Sequence, residues 1–161
     1  MTKSITVISG GQTGVDRGAL DAALSLGAEI DGWCPKDGQA EDGPLDPRYV
    51  LKRHHSQGYR GRTVANVEDS DATIIIYWGE PKTGTRETLK ICLKKNKPFK
   101  LIDAELVAPV KAAEVVYSFI NAHRANRVNF AGPSAKKMPQ GYKYSYELTA
   151  KLTHMTESFG V

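Results

Sequence analysis

Two short stretches of the chain concentrate the residue types that bind anions. One is Gly10-Gly11-Gln12-Thr13-Gly14-Val15-Asp16-Arg17, and the other is Thr83-Gly84-Thr85-Arg86-Glu87. Glycines let the backbone turn sharply and approach an anion closely, and a helix that follows presents free N–H groups and a partial positive charge. Thr13 adds a hydroxyl donor, and Arg17 adds a guanidinium in the first helical turn. The first stretch lacks the Gly-Lys-Ser/Thr of a Walker A loop and does not match GxGxxG. In the second, Thr83 or Thr85 is the predicted N-cap, and Glu87 is a carboxylate beside the helix dipole. Taken alone, either stretch also reads as a tight strand-to-helix turn. Two of them on one sheet edge point to oxyanion binding.

Other chemistry-bearing residues read more plainly. Glu41-Asp42 precede Gly43-Pro44 and form no EF-hand pattern, so a solvated turn is expected there rather than a cation cage. His54 and His55 are predicted on a short helix, where neighbours face different directions. Cys34 and Cys92, the two cysteines, lie far apart without zinc-type spacing and are expected as reduced thiols. No Ser-His-Asp ordering or nucleophile elbow is visible. If the chain is an enzyme, Glu87 and Asp16 are the acids placed for proton transfer, but nothing in the sequence demands catalysis.

The elements that must position these groups follow from apolar patterning. Ser4–Ser9 reads as a buried strand that stops at glycine, and a helix runs from Asp16 to Gly27. A second strand is expected at Ala28–Trp33, a short helix at Tyr49–Gln57, and another at Thr63–Asp69. The most apolar stretch, Ala72–Trp78, suits a strand covered on both faces. A helix over Thr85–Lys95, a strand over Phe99–Ile102 and a helix over Pro109–Ala125 come next. A strand at Val128–Ala131 and a C-terminal helix over Ser145–Glu157 complete the pattern. Strands alternate with helices, which predicts an α/β fold with a mostly parallel sheet, helices on both faces and right-handed crossovers. In such sheets ligands bind beyond the C-terminal strand ends. That edge would gather the two stretches, Cys34-Pro35-Lys36 and Gly132-Pro133-Ser134.

Bulk properties bound the function. The chain has 161 residues, enough for one domain over 1–161 with its own core. A net charge of +4 suits an anionic partner. The basic residues form no long block, and Lys94, Lys95, Lys97 and Lys100 sit at a helix end where cations complement the dipole. A small anionic ligand is therefore expected, with no nucleic acid and no membrane. The opening segment reads as a first strand rather than a signal peptide, so the expected compartment is the cytoplasm.

The blocks GGQTGVDRGALDAA, GWCPK with AEDGP, the stretch around Arg62–Asp71, GTRET and VNFAGPS together resemble the putative molybdenum carrier family. That family is similar to a wider Rossmann-like group of nucleotide-ligand proteins, which includes lysine-decarboxylase-like phosphoribohydrolases. The resemblance implies a Rossmann-like three-layer domain that carries molybdenum cofactor (molybdopterin) or a related phosphorylated pterin without chemistry, as a homo-oligomer. It implies no obligatory catalytic metal. By this resemblance Gly10, Gly11, Gln12, Thr13 and Gly14 cradle an anion near Arg17. Thr83, Gly84 and Thr85 form a second anion site, and Lys36 and Arg62 are supplementary cations. The hydrolases carry PGGxGTxxE, whereas this chain has WGEPKTGTRET. Glu87 comes two residues after the threonine rather than three, and the paired glycines and leading proline are missing. This departure weighs against phosphoribohydrolase activity and leaves a nucleotide-processing hydrolase or a nucleotide sensor as the rival readings.

Overall fold

The computed structural model describes residues 4–159. Its elements are β1 (Thr6–Ile8), α1 (Val15–Ser25), β2 (Glu29–Asp31), β3 (Trp33–Cys34), β4 (Gln39–Ala40), β5 (Gly43–Pro44), β6 (Lys52–Arg53), α2 (Arg60–Glu68), β7 (Ala72–Tyr77), α3 (Thr83–Lys95), β8 (Phe99–Asp103), α4 (Pro109–Ala122), β9 (Arg127–Ala131) and α5 (Gly141–Phe159). Five strands form one parallel sheet in the order β2-β1-β9-β7-β8. The last strand in sequence thus lies at the centre, with Val7 and Ile74 flanking Val128 and Phe130 in register.

The alternation of side chains along β7 builds the two sides of a three-layer α/β, Rossmann-like fold. Ile74 and Ile76 pack with α1, α4 and α5, through residues such as Ala19, Val116 and Leu148. Ile75 faces the other way, toward Val67 of α2 and Ile91 and Cys92 of α3. Helices α1 and α5 meet at Gly18, where an added Cβ would stand 2.4 Å from the Tyr142 carbonyl oxygen. No helix among the described residues is long and apolar enough to cross a membrane.

Local departures from the sequence reading have physical causes. The expected strand over 28–33 divides at Gly32, whose φ of 137° turns the chain out of the main sheet. Its backbone presses on Ser9, with a notional Cβ only 2.1 Å from the Ser9 carbonyl oxygen. The expected helix over Tyr49–Gln57 is absent. There β6 runs parallel to β3, the Lys52 N–H donating to the Gly32 carbonyl at 2.9 Å and the His54 N–H to the Cys34 carbonyl at 2.8 Å. Strand pairing across the chain overrides the local propensity. His54 and His55 consequently do not diverge on a helix; their rings stack at 4.3 Å. The N-cap of α3 is Lys82 rather than Thr83 or Thr85. Helix α2 begins at Arg60, α4 ends at Ala122, and α5 begins at Gly141, four residues before Ser145. Cys34 and Cys92 are free and buried.

Candidate functional site

The C-terminal ends of β1, β9 and β7 open into a cleft of about 170 Å³. Its floor comes from Gly10, Asn129 and the 130–134 segment, which ends β9 and continues beyond it. One wall is α2, through Arg62, Thr63 and Asn66, with Tyr59 just before it. The opposite rim is the start of α3, through Thr83, Gly84, Thr85 and Thr88, and Gln12, Glu41 and Lys137 close the remaining side. Apart from Asp16 and Glu41, the polar groups are hydroxyls, amides, a guanidinium and an ammonium. That donor-rich set suits an oxyanion.

Arg62 is the central group. Its side chain is only 12% exposed, and its guanidinium sits against Gly10, where an added Cβ would be 1.6 Å from Nη1. Nη1 approaches Asp16 Oδ2 at 3.5 Å, and the guanidinium carbon is 5.3 Å from the Tyr59 ring centroid. Nε is buried without a hydrogen-bond partner, as is the Ser134 hydroxyl across the cleft floor. Buried polar atoms are normally paired. Two orphans at one cleft mark a place where a ligand can complete the bonding.

Asp16 is the other buried charge. Burial pushes its carboxyl up to about 6, against the Arg62 guanidinium and the Gln12 N–H, which pull it down. The Gln12 N–H donates to Oδ2 at 3.4 Å. An acid of this strength in a cleft can hold or release a proton near neutrality.

The GGQTG turn is wired differently from an open anion nest. The Gly11 N–H donates to the Ser9 hydroxyl at 3.2 Å, and the Thr13 N–H to Gln12 Oε1 at 3.0 Å. Arg17 donates from Nε and Nη2 to the Gly11 carbonyl, and its Nη1 reaches Asp42 Oδ2 at 2.9 Å. The Thr13 hydroxyl donates to Glu41 Oε1 at 2.7 Å. Gly14, at φ 83°, lets the 133–135 backbone sit against the start of α1. Glu41-Asp42 thus form an exposed turn, as expected, whose carboxylates also bond to the GGQTG segment.

Of the residues expected at the site, the cleft brings together Gly10, Gln12, Asp16, Arg62, Thr83, Gly84 and Thr85. Gly11, Gly14, Arg17 and Lys36 are not in its lining, Thr13 stands at its edge through its bond to Glu41, and Glu87 pairs with Arg60 on the surface. Thr83 holds a left-handed φ of 45° and accepts from Lys137 Nζ at 2.8 Å. The sequence reading passed over Tyr59, Asn66, Thr88, Asn129 and Lys137. Only Asn129, a polar residue in the middle of the apolar strand β9, could have signalled one of them. Among the described residues, no group of three or more His, Cys, Asp or Glu gathers as metal ligands.

Comparison with known proteins places this geometry. Residues 7–153 match the model of the circularly permutated YpsA SLOG family. No curated protein matches the chain. A crystal structure of the "Putative molybdenum carrier protein" from Syntrophus aciditrophicus SB is similar at 36% identity, with a TM-score of 0.90, covering 94% of this chain and 96% of that one. The chain belongs to the circularly permutated YpsA SLOG family, with a fold shared with that carrier protein.

Proposed function

We propose that the cleft binds the phosphate-bearing end of molybdenum cofactor or a related phosphorylated pterin, and that the protein carries this ligand without transforming it. The observation that supports this reading is the Arg62 guanidinium, which is buried against Gly10 with Nε unpartnered and belongs to the lining of a donor-rich cleft. An arginine of this kind offers fixed, permanently charged donors to an oxyanion. Ligand pockets for whole drug-sized molecules run from about 300 Å³ upward. The cleft volume of about 170 Å³ therefore takes one end of the ligand and leaves the rest over the mouth, beside Tyr59. The similarity to the Syntrophus protein, whose name is that of a molybdenum carrier, supports a molybdenum-related ligand.

The test is an anaerobic protection assay: purified protein is mixed with molybdenum cofactor and cofactor decay is followed, with AMP as competitor. The expected result is slowed decay that excess AMP leaves unchanged and that Arg62→Gln abolishes in a folded protein. Decay as fast as in buffer overturns the carrier reading.

The raised carboxyl of Asp16 beside Arg62 favours one second reading, a hydrolase of a nucleotide-like ligand in which Asp16 moves a proton. That reading expects base or phosphate release from a panel of nucleoside phosphates, lost in Asp16→Asn. A panel without turnover removes it.

A further inference from the structure

The geometry points to a second oxyanion subsite at the Thr13–Ser134–Lys136 end of the cleft, which the Glu41 carboxylate holds until a ligand oxygen displaces it. Glu41 Oε1 accepts from the Thr13 hydroxyl at 2.7 Å and from the Lys136 N–H at 3.4 Å. The Thr13 hydroxyl in turn accepts from the Ala135 N–H at 3.1 Å. These are the donors that the start of α1 and the loop after β9 would offer to a phosphate, and a side-chain carboxylate is already on them.

An independent observation shows that the carboxylate leaves the subsite incomplete. Ser134 is 8% exposed and lines the same cleft, and its hydroxyl stands beside the Glu41 carboxylate without reaching it at hydrogen-bond geometry. It lies near enough to Glu41 to favour the charged carboxylate, with Thr13 the larger influence. A tetrahedral oxyanion has more acceptor atoms than a carboxylate and can engage Ser134 along with Thr13.

Displacement needs only a side-chain rotation. The backbone around Glu41 is anchored separately, by the Glu41 N–H donating to Gln12 Oε1 at 2.8 Å and by Asp42 on Arg17 at 2.9 Å. Glu41 itself lies on an exposed β4–β5 hairpin, so its side chain can turn into solvent. Glu41 thereby acts as an internal competitor that sets how strongly an anion must bind to enter.

The inference rests on the reading of the cleft as an oxyanion site, and inorganic phosphate is the probe that tests it. Titration calorimetry is run on the wild type, Glu41→Gln, and the double variant Thr13→Val with Glu41→Gln, each checked for folding by circular dichroism. Removing a like charge from a partly exposed site is expected to tighten phosphate binding by about fivefold in Glu41→Gln. The added Thr13→Val change is expected to cancel that gain. Equal or weaker binding in Glu41→Gln, or no binding to it at millimolar phosphate, overturns the inference. A gain in phosphate affinity without protection of molybdenum cofactor would instead retain the subsite and reject the pterin reading.

Discussion

The guanidinium of Arg62 occupies the space that a side chain on Gly10 would fill: an added Cβ would be 1.6 Å from Nη1 and 2.6 Å from Cζ. The glycine at the end of β1 is therefore a seat for the arginine of α2, and the two residues build the cleft floor together.

Gly10→Ala should unseat Arg62 without unfolding the protein, because the clash is with the far end of a flexible side chain. Phosphorylated-ligand affinity should fall by about tenfold, the scale of one charge-assisted contact, while stability falls by about 1–3 kcal/mol at neutral pH because Asp16 loses its buried partner. Calorimetric titration and urea denaturation of the variant check the two effects separately. Unchanged affinity would remove Arg62 from the site.

Asp16 predicts a pH dependence of stability. Its folded carboxyl titrates at about 6, above the ordinary value of 3.8, so the native state binds the proton more tightly than the unfolded chain does. The stabilisation is fully present below about pH 4 and is lost as pH rises through 6, an effect on the order of 3 kcal/mol. Denaturation of wild type and Asp16→Asn from pH 4 to 7 should show the wild type losing stability relative to the variant. Parallel curves would contradict the buried titration.

Gly18→Ala should cost about 1–3 kcal/mol, the usual penalty of overpacking. The added methyl meets the Tyr142 carbonyl at 2.4 Å and Ser145 Cβ at 3.1 Å, and Ser145 already ties the two helices by donating to the Val15 carbonyl at 2.7 Å. Urea midpoints measure the loss, and a neutral result would mean that α1 and α5 can separate freely.

Glu87→Gln should leave ligand binding unchanged and shift stability by no more than about 0.5 kcal/mol. Glu87 pairs with Arg60 at the surface and takes no part in the cleft lining. A marked fall in binding or turnover would return Glu87 to the site.

Much of the architecture was legible because it rests on local pattern. Apolar runs such as Ala72–Tyr77 and the glycine-bounded α1 mark their own elements, and the strand-helix alternation specifies an α/β sheet with helices on both faces. The rule that ligands sit beyond the strand ends placed Gly10, Gln12, Thr83 and Thr85 on the edge that carries the cleft, and the resemblance added Arg62.

What tertiary structure decided was which donors remain free. Arg17 and Thr13 look like anion ligands by type and spacing, but Asp42 and Glu41 come from more than twenty residues away to satisfy them. Arg62, whose local sequence gives no such signal, is left with an unpaired buried nitrogen because α2 docks over Gly10. Side-chain type and helix position are local properties and can be read along the chain. Pairing and burial depend on contacts between distant segments, among them the insertion of β9 between β1 and β7, and a linear pattern does not encode those partners.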